Sequence, residues 1–200
     1  DHVAESNINR QVQALGSTLG MAKAQALRER VRDIHPGCAV TTIEEFASAD
    51  NWPGLLGGET VDALIDACDQ PRAKAALAAW ARASATPLVV VGAAGGKRLP
   101  QEVRVADLAE ATHDPLLASL RQRLRKEHGA PRGGTMGVRC VFSREPVHRP
   151  ANAAGEGEDC AIDGSLNCHG YGSSVTVTAT FGMVAAAEAL RLLEGAAAKL

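Results

Sequence analysis

The chain has 200 residues, 46% of them hydrophobic, and a formal charge of −2, enough for one soluble globular domain with a full core. No apolar run approaches the roughly 20 residues that cross a bilayer, and the opening DHVAESNINR lacks the zones of a signal peptide, so neither a membrane span nor secretion is expected. The five cysteines (Cys38, Cys68, Cys140, Cys160, Cys168) are odd in number, widely spaced and free of C-x-x-C pairs, which argues against a disulfide framework or a paired-cysteine zinc site and favours idle thiols in a reducing cytoplasm.

In chain order, residues 19–34 carry helical apolar spacing at Ala22, Ala26, Leu27, Val31 and Ile34, stopped by His35-Pro36-Gly37. Residues 38–46 alternate and are β-branched, which predicts a strand. Asp50 is placed to cap a short helix through Leu56, with Pro53 in its first turn. Residues 61–66 read as a buried strand, and Pro71 opens a helix to about Ser84. The run 87–92 (PLVVVG) is apolar throughout, the pattern of a strand covered on both faces. A strand over 103–108, a helix over 115–128 and a strand over 137–143 follow. Residues 144–173 are rich in Gly, Asp, Asn and Pro and are expected to form an irregular, mobile loop. Residues 174–194 close the chain as a long, nearly all-apolar, buried helix. With aromatics at only 3%, alanine-rich helices must pack closely on a valine-rich sheet.

Alternation of strand and helix argues for a parallel α/β sheet, whose ligands sit at the carboxyl ends of the strands. That rule singles out Asp66 and Asp69 after one strand and Gly92 to Gly96 after the next. Charge is uneven as well. From Arg121 to Arg149 eight cationic side chains face two glutamates, a balance of +6 that leaves −8 for the rest. Such a stretch is either a polyanion footprint or a solvated helix face.

The chemistry-bearing set is Asn7-Ile8-Asn9-Arg10-Gln11, then Gly20-Met21-Ala22-Lys23-Ala24, then a strand ending Asp66-Ala67-Cys68-Asp69. Taken singly, Arg10 or Lys23 reads as surface charge, Asp69 as a helix cap and Asp66 as a turn residue. In this order and spacing the set resembles the adenylation signature of the ThiF/MoeB/ubiquitin-activating superfamily. The resemblance implies a Rossmann-like sheet with flanking helices, a single adenylating domain over residues 1–200, and ATP with Mg²⁺ as cofactors. By it, Arg10 and Lys23 contact the phosphates, Asn7 and Gln11 bond phosphates or hold Arg10, and Asp69 positions Mg²⁺. Electrostatic stabilisation of charge building on the α-phosphate is the reason such residues are needed.

The superfamily's phosphate-cradling glycine motif precedes N-x-N-R-Q, so the chain, which opens on Asp1 rather than Met, is expected to lack that amino-terminal portion and to bind ATP poorly. Gly92-Ala93-Ala94-Gly95-Gly96 leads into Lys97-Arg98-Leu99-Pro100 rather than a helix, so it reads as close backbone approach and not as a phosphate loop.

The stretches VVVGAAGG, VRVADL, DPLL, LRQRLRKEHG, VRCVFS and VTATFG, together with the missing zinc cysteines, are similar to the tRNA threonylcarbamoyladenosine dehydratases within the superfamily. That branch adenylates the carboxylate of a threonylcarbamoyl group on a tRNA adenosine and cyclises it with loss of AMP. It implies tRNA as partner, a homodimer, sulfur-transfer proteins as further partners, a cytoplasmic location and Arg121 to Arg149 as a tRNA contact. Cys168, beside His169, matches a cysteine of that branch, either as a reactive thiol or as an inert loop residue. The alternatives are an activator of a ubiquitin-like sulfur carrier and a non-catalytic scaffold of the same fold.

Overall fold

A computed structural model of the chain describes residues 1–148 and 172–197. Cys160, Cys168, His169 and most of the expected loop at 144–173 lie outside the described residues. The chain forms two compact units, Asp1–Ala47 and Ser48–Leu200.

In the first unit, residues 1–3 run antiparallel to residues 20–23: Val3 N–H donates to Met21 O (2.8 Å), Gly20 N–H to Val3 O (2.9 Å) and Lys23 N–H to Asp1 O (2.9 Å). Gly20 takes φ +80°, a left-handed conformation that suits glycine, so the helix begins after it. Helix α1 therefore spans Lys23–Ile34, four residues later than its apolar periodicity suggests. A small core of Val3, Ala14 and Ala26, with Met21 against it, holds the unit. The strand expected at 38–46 does not form. Most of its side chains are exposed, and no strand among the described residues pairs with it. β-branched alternation becomes a strand only where a neighbouring edge takes up its backbone groups.

The second unit is an α/β layer structure. Strands β1 (Leu64–Asp66), β2 (Leu88–Val91), β3 (Val103–Asp107) and β4 (Arg139–Ser143) form one sheet in the order β1-β2-β4-β3. The first three in that order are parallel, with Asp66 beside Val90 and Val90 beside Cys140. Strand β3 adds an antiparallel edge, with Asp107 opposite Arg139. The parallel frame expected from the sequence is thus closed by one reversed strand.

Helix α2 (Pro71–Ser84) opens on proline at its first position, where the missing N–H costs nothing. Helix α3 (Pro115–Glu127) does the same, with Asp114 as its cap: Oδ1 accepts the Leu117 N–H at 3.0 Å. The two helices share one face of the sheet, where Ala78, Ala81, Leu117, Leu120 and Leu124 meet Val90, Cys140 and Phe142. Helix α4 (Val175–Ala197) covers the other face, seating Val177, Phe181, Ala185 and Ala189 on Val89 and Val141. Burial on both faces explains the unbroken apolar run of β2.

Two expectations are corrected here. Asp50 caps no helix among the described residues: the turn ahead is a short 3-10 helix, Gly54–Leu56, and Asn51 Oδ1 instead accepts the Ser48 N–H at 2.8 Å. Helix α4 is not wholly buried, because Met183 (75% exposed), Leu190 (61%) and Val175 (49%) face outward. Over residues Val175–Gly195 it is also long and apolar enough by length and composition to cross a membrane, although its other face packs as a core helix.

Candidate functional site

In the first unit, Asn7, Arg10 and Gln11 occupy consecutive turns. The 3-10 helix Glu5–Asn7 leads into N–H bonds from Arg10 and Gln11 to Asn7 O (3.1 and 2.9 Å). The Asn7 side chain is buried, and its Oδ1 accepts the Ala4 N–H at 3.1 Å, so its amide shapes the turn that presents Arg10. The Arg10 guanidinium donates to Ser6 O (2.8 Å) and Asn9 Oδ1 (2.9 Å) through Nη1. Gln11 Oε1 accepts from Gln13 Nε2 at 3.1 Å. Lys23, the first residue of α1, makes an ion pair with Asp1.

The second unit gathers its polar residues along the carboxyl edge of the parallel strands. Asp66 ends β1, and four residues on, Gln70 precedes α2. Between them stands Asp69, half-buried, its carboxylate without a hydrogen-bond or ion-pair partner among the described residues. A hard oxygen donor with open valences fits Mg²⁺, which is commonly held by one or two carboxylates plus substrate phosphates. Among the described residues no group of three or more His, Cys, Asp or Glu could hold a metal by itself.

The segment after β2 is held by charges that the sequence did not single out. Gly92 lies so close to Asp114 that an added Cβ would stand 2.1 Å from Oδ2, and Oδ2 accepts the Ala93 N–H at 2.8 Å. This is the close backbone approach expected at the glycine-rich stretch. Gly96, at φ +70°, accepts the His148 N–H (2.9 Å) and donates to Gly172 O (3.0 Å). Lys97 is buried, its Nζ donating to His113 O (2.8 Å) and to Glu145 O. The Glu145 carboxylate accepts the N–H groups of Arg98 and Leu99, both at 2.8 Å, and meets His148 Nε2 at 2.9 Å.

The electrostatics follow from these contacts. Burial lowers the Lys97 pKa, opposed by the Asp114 and Glu145 carboxylates. Burial raises that of Asp114 against the pull of the Leu117 and Ala93 amides. Burial also pushes Glu145 upward, but the Arg98 and Leu99 amides and His148 outweigh it and hold the carboxyl below its ordinary range. Cys68 is pushed up to about 12 by burial and then by the neighbouring Asp66 carboxylate, so it stays a thiol at neutral pH and makes a poor nucleophile.

A family model described as "ThiF family" matches residues 1–200. The chain belongs to the ThiF family. Its similarity extends to the tRNA threonylcarbamoyladenosine dehydratase of Escherichia coli K12, 39% identical over all of this chain and 76% of that protein. The Haemophilus influenzae protein of the same name is 35% identical over 92% of the chain and 70% of its own length. Among solved structures, the E. coli dehydratase TcdA in complex with ATP superposes with a TM-score of 0.86, covering 100% of this chain and 74% of that one. The ThiF-family fold read from N-x-N-R-Q and D-A-x-D is therefore the fold of this chain.

Lys74, Lys97, Asp114 and Glu145 were missed in the sequence. For Asp114 a signal existed, since Asp-Pro before an apolar run is a helix start. For Lys74 the signal was its place on the stripe 74, 78, 81 of α2, which is the buried face.

Proposed function

We propose that the chain is an ATP-dependent tRNA threonylcarbamoyladenosine dehydratase. The observation that carries this reading is the match over 92–100% of the chain to dehydratases at 35–39% identity, together with the TM-score of 0.86 to one solved with ATP. The Asp69 carboxylate, without a partner among the described residues, lies at the carboxyl edge and agrees with it, because that is where open α/β sheets hold ligands.

In this reaction the threonylcarbamoyl carboxylate attacks the α-phosphorus of ATP and pyrophosphate departs, giving an acyl adenylate. An internal nucleophile of the same modification then attacks the activated carbonyl, the ring closes and AMP leaves. Arg10, as a planar fork, and Lys23, as a point charge, take the phosphate oxygens on which negative charge grows. Asn7 and Gln11 keep the turn that aims Arg10. Asp69 would hold Mg²⁺, whose chemistry is to neutralise phosphate charge. Cys68 and Cys140 take no part: they are half-buried and buried with raised pKa values, and ring closure needs no protein thiol.

Residues Arg121 to Arg149 are read as a tRNA phosphate contact, and the outward apolar face of α4, with Met183 and Leu190, as the surface of a homodimer. The reading places the enzyme in the cytoplasm with its tRNA, and sulfur-transfer proteins are its further partners. The test is nucleoside analysis of threonylcarbamoylated tRNA incubated with ATP and the full-length protein. Arg10→Ala or Lys23→Ala should lower cyclic product by about 100-fold or more. Undiminished product from both variants removes these residues from the mechanism. Activation of a small carrier protein instead of tRNA would transfer the chain to the sulfur-carrier activators.

A further inference from the structure

Under the carboxyl edge of the sheet lies an ion pair sealed from solvent. Lys74 Nζ stands 3.1 Å from Asp66 Oδ1, and both side chains are 0% exposed. The same ammonium donates to the Asp66 carbonyl at 3.3 Å. Oδ1 also accepts the Cys68 N–H at 3.1 Å, so the aspartate bridges its own turn two residues on. Lys74, in turn, is fixed at the start of α2, where its N–H donates to Gln70 O at 2.9 Å.

These contacts tie the last residue of β1 to the first turn of α2 across the intervening loop of four residues. Asp69 is in that loop, and its own carboxylate has no partner among the described residues. Its direction is therefore set by the loop backbone and by what grips the loop. Stability alone does not explain such a grip, since apolar residues of similar volume commonly hold a buried site at least as well as a paired lysine and carboxylate do. The arrangement is also incomplete as a stabilising device, because Asp66 Oδ2 is buried without a partner among the described residues. Direct contact with a nucleotide is excluded for Lys74, whose ammonium is enclosed and committed to Asp66.

We infer that the buried Asp66–Lys74 pair is a positioning device for Asp69, setting the direction of that carboxylate toward a divalent cation carried on a nucleotide. The inference rests on the proposed role of Asp69. In some systems a buried ion pair specifies a geometry that an apolar pair leaves open, and that is the role assigned here.

The test is calorimetric ATP binding to the full-length protein, with Mg²⁺ and with EDTA, in four proteins: wild type, Asp69→Asn, Asp66→Glu and the neutral double variant Asp66→Asn/Lys74→Met. The Mg²⁺-dependent gain in affinity should vanish in Asp69→Asn. It should fall about tenfold in Asp66→Glu and in the double variant, while binding in EDTA and circular dichroism stay as in wild type. A merely structural role would shift both conditions together or neither. If Asp69→Asn keeps the full Mg²⁺ gain, the role of Asp69 itself is refuted. If Asp69→Asn loses the gain while a folded Asp66→Glu or double variant keeps it, the positioning role is overturned. Asp66→Glu retains the charge pair and so keeps the question answerable should the double variant not fold.

Discussion

Replacing Gly92 by alanine introduces a Cβ 2.1 Å from Asp114 Oδ2, well inside any tolerated contact, and 3.2 Å from Leu117 Cδ1. The carboxylate must swing away. It then gives up the Ala93 N–H at Oδ2, a buried hydrogen bond to a carboxylate that is worth about 1.5–3 kcal/mol. The same rotation moves Oδ1 off the Leu117 N–H and uncaps α3, at about 1 kcal/mol more. Together these give a destabilisation of about 2.5–4 kcal/mol, a large share of the 5–15 kcal/mol that holds a typical domain. Equilibrium urea unfolding, followed by far-UV circular dichroism, measures it through the midpoint at constant slope. The mechanism makes a sharper demand as well. In an Asp114→Ala background the obstruction is gone, so Gly92→Ala should cost less than about 1 kcal/mol there, a strong non-additivity between touching residues. A cost of about 2.5–4 kcal/mol in both backgrounds, or of less than about 1 kcal/mol in the wild type, refutes the reasoning.

Asp107 accepts four backbone N–H groups, from Ala109 (2.9 Å), Met136 and Gly137 (2.8 Å each) and Val138 (3.2 Å), and Asp107→Ala should cost about 3–5 kcal/mol in the same unfolding assay; a loss under 1 kcal/mol contradicts this. Glu188 is held at about 2, first by hydrogen bonds from Arg191, against burial, and then by Arg139. Its folded pKa lies below the unfolded one, so its stabilisation is complete above about 4.5 and is lost as pH falls through about 2. With the Arg191 guanidinium exposed, the effect is about 1–2 kcal/mol, and the stability gap between wild type and Glu188→Gln should close between pH 6 and pH 2; a gap that persists at pH 2 sinks the assignment. Iodoacetamide at pH 8 should alkylate exposed Cys38 while sparing Cys68 and Cys140 until denaturant is added, as read by peptide mass spectrometry; labelling of native Cys68 as fast as Cys38 would show its thiol to be open.

Elements whose ends carry local chemistry were legible in the sequence. Pro71 and Asp114-Pro115 mark the starts of α2 and α3, and the continuous run of β2 declares burial on both faces. What depends on distant partners was not legible. Residues 38–46 have strand composition and no partner strand among the described residues, and β3 gives no sign of its direction, which its pairing with β4 decides. In α4 the apolar residues run all round the helix, so composition alone could not say which side meets the sheet and which is left outside. The candidate site divides in the same way. Arg10, Lys23 and Asp69 came from motif order, whereas Lys74 was hidden because a lysine in an alanine-rich helix reads as surface.

The reversed direction of β3 has a consequence for how variation can be borne. Because it runs against β4, it delivers Asp107 beside Arg139, at the end of the sheet opposite to Asp66, Asp114 and Glu145. The carboxylate that ties β3 to the segment before β4 is thereby kept at the rim away from the proposed site. On the proposed reading, substitutions around Asp107 should alter stability without altering turnover.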